Sequence, residues 1–148
     1  MIERKTLETF KGKSLKIIEW YFYNESEKGE IDEIRRTFDI SEKYEIVGRC
    51  TLLGDIVVFY KDKIGVISHD EPKSGPLTMV KDILEFSAFI SLLEELPDYS
   101  EEDNIERLKI IRKQLKSLRK QAPKNLKDDF IDEITDIEDI IEDLKEDS

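Results

Sequence analysis

His69-Asp70-Glu71 places the only histidine of the chain beside two carboxylates. These residue types suit a general base with its orienting acid, or a metal site. Cys50 is the only thiol, so a Cys–His pair is the remaining nucleophilic combination. The Cys–His pair requires Cys50 and His69, on different predicted strands, to meet in space, and the spacing argues against a metal site. A facial metal site needs a second histidine, and structural zinc draws on Cys and His sets that this chain lacks. No CxxC, HExxH, GxSxG or P-loop pattern occurs. The expectation is therefore a protein that is not an enzyme, with no catalytic set, no metal and no cofactor. His69 then reads either as the solvated end of a strand or as a rim that touches a partner. Pro72 favours an extended exit from that strand.

The elements that position these residues follow from periodicity. LKIIEWYFYN (15–24), rich in aromatic and β-branched residues, predicts a strand. GEIDEIRRTF (29–38) spaces Ile31, Ile34 and Phe38 as a short helix. Strands are predicted over 44–53, 56–61 and 64–69, with Gly54-Asp55 and Asp62-Lys63 as turns, and 77–83 reads as extended. EFSAFISLLEEL (85–96) is an amphipathic helix that Pro97 ends. Cys50, in the alternating run IVGRCTLL, reads as a small core residue. Trp20, Tyr21, Phe22 and Tyr23 are consecutive, so they alternate between two sheet faces, and an exposed pair would suit an interface anchor.

Beyond Pro97 the pattern changes. Leu108, Ile111, Leu115, Leu118 and Ala122 form one heptad-like stripe, and Phe130, Ile134, Ile137, Ile141 and Leu144 form a second. Pro123-Lys-Asn between them cannot continue a helix. The stripes predict an antiparallel αα-hairpin over about 102–121 and 126–146. The fold class is thus α+β: an antiparallel sheet with flanking helices over 1–97, and a C-terminal helical hairpin over 98–148.

Charge separates sharply along the hairpin. Residues 105–127 carry a net +8 and residues 128–148 a net −10, within a chain of −11. Such an acidic balance disfavours nucleic acid and membrane surfaces as partners and suits a basic protein. The acidic helix reads either as a solvated hairpin face or as a surface for that partner. The DxDxDG pattern of a calcium loop is absent. One cysteine permits no internal disulfide, MIERKTLETF has no apolar h-region, and no run approaches the ~18 apolar residues of a membrane span. A cytoplasmic location is expected.

The order of features over 44–96 carries a resemblance. Gly54-Asp55, the strand Ile56–Tyr60, a turn, Gly65–Ile67, His69-Asp70-Glu71 and the closing helix around Phe86–Leu93 resemble the C-terminal half of the SUKH superfamily. That resemblance implies an immunity protein, which neutralises a toxin, often a nuclease, by stoichiometric binding. The candidate partner-contact residues are Trp20, Phe22, Asp55, Asp62, His69, Asp70, Glu71, Asp98 and Tyr99. The expected partner is a basic toxin domain. A homodimer assembled through the hairpin, acting as a structural or adaptor module, is the alternative.

Overall fold

A computed structural model describes residues 2–51, 54–80, 83–122 and 126–146. Five strands lie in chain order in one sheet, each antiparallel to the next: β1 (Trp20–Phe22), β2 (Glu45–Cys50), β3 (Ile56–Tyr60), β4 (Lys63–Ile67) and β5 (Pro76–Val80). Helix α1 (Ile2–Glu8) precedes the sheet, and α2 (Lys28–Phe38) fills the connection from β1 to β2. Helices α3 (Ile83–Glu94), α4 (Ile105–Gln121) and α5 (Asp129–Glu146) follow. The fold is α+β, with an antiparallel sheet, flanking helices and a C-terminal helical hairpin. No helix among the described residues is long and apolar enough to cross a membrane.

The chain forms two compact units, residues 1–87 and 88–148. The division falls within α3 rather than after Pro97, because the second half of this helix faces the hairpin: the Phe89 ring lies 5.9 Å from that of Phe130.

In the first unit, strand alternation gives the sheet two apolar faces. Tyr23, Ile46, Ile56, Val58 and Ile67 form a buried cluster on one face with Ile40, and Ile31, Ile34 and Phe38 of α2 pack against it. Trp20, Phe22 and Val57 share the other face, where the rings of Phe10, Trp20, Phe22 and Phe86 stack with centroids 5.1–6.3 Å apart. Each fully buried side chain of this size contributes about 1.5–3 kcal/mol. A bulge at Val47 shifts the register between β2 and β3, and its carbonyl accepts the Tyr23 N–H at 2.9 Å. Asp39, left-handed at φ 50°, closes α2, and the Arg35 guanidinium donates to the carbonyls of Ile40, Ser41 and Tyr44 just beyond it.

Two expectations change here. The strand expected over 15–24 is a three-residue strand preceded by a tight reversal. The Ile18 N–H donates to the Lys16 carbonyl, with Ile17 at φ 70° and Glu19 at φ 55°. That reversal folds residues 12–15 back along the free edge of β1, where Gly12 and Leu15 donate to Phe22 and Trp20. The turn expected at Asp62-Lys63 lies one residue earlier. Lys61 and Asp62 both take positive φ (49° and 63°), and Tyr60 pairs with Lys63. Two left-handed residues match the right-handed twist of the strands they join. Residues 52–53 and 81–82, the ends of two predicted strands, lie outside the described residues.

In the second unit the predicted stripes are the seam. Leu108, Ile111, Leu115 and Leu118 of α4, and Phe130, Ile137 and Ile141 of α5, are buried, and the two helices pack together. Asn104 caps α4 by accepting the Arg107 N–H at 2.9 Å. At the other end, the Lys127 ammonium donates to the carbonyls of Arg119 and Lys120, placing a cation on the negative pole of α4. Lys116 and Glu138 bridge the helices at 3.5 Å. The Pro123-Lys-Asn turn lies outside the described residues.

Candidate functional site

Of the residues that invited a chemical reading, His69 and Asp70 meet Asp55 at one end of the sheet. Gly54, at φ 74°, turns the chain into β3, and the Cys50 N–H donates to the Asp55 carbonyl at 2.8 Å. This fixes Asp55 beside the exit of β4. There its Oδ1 accepts from the His69 backbone N–H at 3.1 Å and lies 2.7 Å from His69 Nδ1. The other ring nitrogen, Nε2, lies 3.2 Å from Asp70 Oδ1. An imidazole whose two nitrogens both face carboxylates is fully satisfied only as the doubly protonated ion. The Asp55 hydrogen bond is the main cause that raises the His69 pKa above its ordinary 6.5. Partial burial opposes it, and the Asp70 charge adds to it. With both nitrogens facing carboxylates, the ring when protonated clasps the entry of β3 to the exit of β4.

The sign of the linkage follows. A folded pKa above the unfolded one stabilises the fold fully below about pH 6.5, and the contribution fades as pH rises through the folded value. The difference in urea midpoint between the native chain and His69→Gln should therefore be largest near pH 5.5 and shrink towards pH 9. A difference that stays constant or widens with pH would show that the clasp does not depend on the proton.

The remaining candidates scatter. Asp62 sits in the exposed β3–β4 turn at the far end of β3, about 17 Å from the clasp by strand length. Glu71 is exposed and leads into a short 3-10 turn, Pro72–Ser74. Trp20 and Phe22 are 3% and 2% exposed within the ring stack, so they cannot serve as contact anchors in this fold. Phe10 and Phe86 cover them, and Phe86 stands far away in sequence. Cys50, the only cysteine, forms no disulfide and is half-buried opposite Trp20 in the β1–β2 ladder. Tyr99 is half-buried, and its hydroxyl donates to Glu133 at 2.5 Å. Burial first, then that bond, raise its pKa. Asp98 is exposed, and its carbonyl accepts from Arg107 at 3.0 Å. No group of three or more His, Cys, Asp or Glu side chains is arranged to hold a metal ion among the described residues.

Within the acidic helix, the net charge alone does not reveal the spacing of its aspartates. Asp132, Asp136, Asp139 and Asp143 follow one another at steps of 4, 3 and 4, and all four are exposed. That spacing keeps them on one face of α5, away from the buried seam, as a ridge about 17 Å long. The hydroxyl of Tyr99 feels the charge of Asp136. Asp132, Asp139 and Asp143 enter no ion pair among the described residues, which leaves their charge available to a partner.

No family model, curated protein or solved structure matches this chain.

Proposed function

We propose that the chain is a non-catalytic binding protein of the immunity type, which neutralises a basic toxin domain, such as a nuclease, by stoichiometric association. The observation that carries this reading is the aspartate ridge of α5. A nuclease cleft must be basic to hold phosphates, and a straight row of uncompensated carboxylates offers such a cleft the same charge. The net charge of −11 supports it, as does the SUKH-like order of features over 44–96. A second reading, a dimeric module, is favoured by the opposite charges of α4 and α5, which make the hairpin complementary to a second copy of itself.

Co-expression with the C-terminal domain of a large secreted protein encoded beside this gene tests the proposal. If that domain is toxic, growth should be restored and the two chains should purify together. Replacing Asp132 and Asp139 with Lys should slow association at least tenfold at low salt while leaving the fold intact, since both residues are exposed and unpaired. Association of the native chain should slow steeply as salt rises. A toxic neighbour with neither rescue nor complex would sink that pairing and favour the dimer.

A further inference from the structure

A cavity of about 520 Å³ lies in the first unit among α1, α2 and the adjoining ends of β1 and β2. Its volume falls within the range of small-molecule sites. The floor is apolar, with Phe22, Tyr23, Ile46 and Val47 contributing. Alpha-helical spacing builds the walls. Arg4, Leu7, Glu8 and Lys11 line it from α1 and the turn after it, and Lys28, Ile31 and Arg35 line it from one face of α2.

The charges on the rim are of two kinds. Arg4 pairs with Glu45 and with Glu8, and Lys11 pairs with Glu8 at 2.7 Å and Glu25 at 3.0 Å. These pairs lace α1 and its following turn to the start of β2 and to the segment before α2. With two cations against three carboxylates, this group carries a net −1. On the α2 wall the situation differs. Lys28 has no ion pair among the described residues. Arg35 spends its donors on backbone carbonyls, which neutralise nothing, and its nearest carboxylate is the 90% exposed Glu42 at 3.9 Å. Four cations and three carboxylates thus line this cavity, an excess of positive charge in a chain of net −11. The excess sits on the wall that also carries the apolar Ile31.

We infer that this cavity binds a small organic anion with an apolar body, a carboxylate on an aliphatic chain being the simplest case. The carboxylate lies between Lys28 and Arg35, and the chain lies against Ile31, Ile46 and Val47. The inference is independent of the aspartate ridge and of any toxin.

Calorimetric titration of the full chain with sodium hexanoate, octanoate and decanoate tests it. Saturable one-to-one binding is expected, tightening by about fourfold with each methylene buried. Lys28→Glu should weaken decanoate about tenfold. This substitution places an acid in the first turn of a helix, where the backbone favours it, so the fold should survive. Lys113→Glu, at a residue that does not line the cavity, should leave binding unchanged. The inference is overturned if decanoate shows no saturable site, if it binds many sites with no response to Lys28→Glu, or if decylamine binds more tightly than decanoate.

Discussion

Ile137→Asp should unfold the hairpin. Ile137 is 0% exposed at the centre of the α5 stripe. The substitution removes an aliphatic side chain from the seam and leaves a carboxylate there without a cation. An uncompensated buried charge costs about 3–5 kcal/mol, which is of the order of the whole stability of a small domain. Loss of a large share of the helical circular dichroism signal is expected at room temperature. Asp139→Asn, two residues away on the exposed ridge, should change stability by no more than about 0.5 kcal/mol. If the helical signal of Ile137→Asp matches the native chain, the seam is assigned to the wrong face of α5.

Gly48→Ala should have the second largest effect, through contact with backbone rather than through burial of charge. A methyl group on Gly48 would sit 2.3 Å from the Tyr21 carbonyl oxygen and 3.3 Å from the Phe22 Cα. These are backbone atoms of the neighbouring strand, which cannot rotate away, so β1 must move. Overpacking of this sort costs about 1–3 kcal/mol. Trp20 is on that strand and is the only tryptophan in the chain. Its fluorescence should therefore shift to the red in Gly48→Ala as the ring stack loosens, together with a lower urea midpoint. An unchanged emission maximum would mean that β1 and β2 tolerate the methyl group without separating.

Elements with long apolar periodicity were the most legible. Leu108, Ile111, Leu115, Leu118, Ile137 and Ile141 announced the hairpin because a seam between two helices must repeat every three or four residues. The β3–β4 hairpin was legible for the same kind of reason, but its turn was misplaced by a residue. Lys61 and Asp62 hold positive φ; aspartate tolerates that conformation, but nothing in the type of Lys61 marks it. The reversal at Ile17 was hidden more deeply. A β-branched residue reads as strand, and only the tertiary structure holds it left-handed. Helix α1 gave no stripe, since Ile2 and Leu7 are the only apolar residues of Ile2–Glu8, too few to repeat. Of the candidate site, His69 and Asp70 are neighbours in the chain, but Asp55 joins them only because β3 and β4 pair. The cavity walls draw on residues as far apart as Arg4 and Val47, which no local pattern connects.

The two helices of the hairpin differ in charge as well as in sequence. From the residues they contain, α4 carries a net +6 and α5 a net −8, on axes that packed helices hold about 9 Å apart. Separating roughly seven charges over that distance gives a transverse electric moment on the order of 300 debye. The peptide dipoles of the 17-residue α4, aligned end to end, sum to only about 60 debye. The hairpin is therefore polar mainly across its width. In the field of a charged body it experiences a torque before any atoms touch. A basic surface turns the α5 edge towards itself, and an acidic surface turns the α4 edge. The approach is thereby oriented as well as accelerated, and salt weakens both effects together.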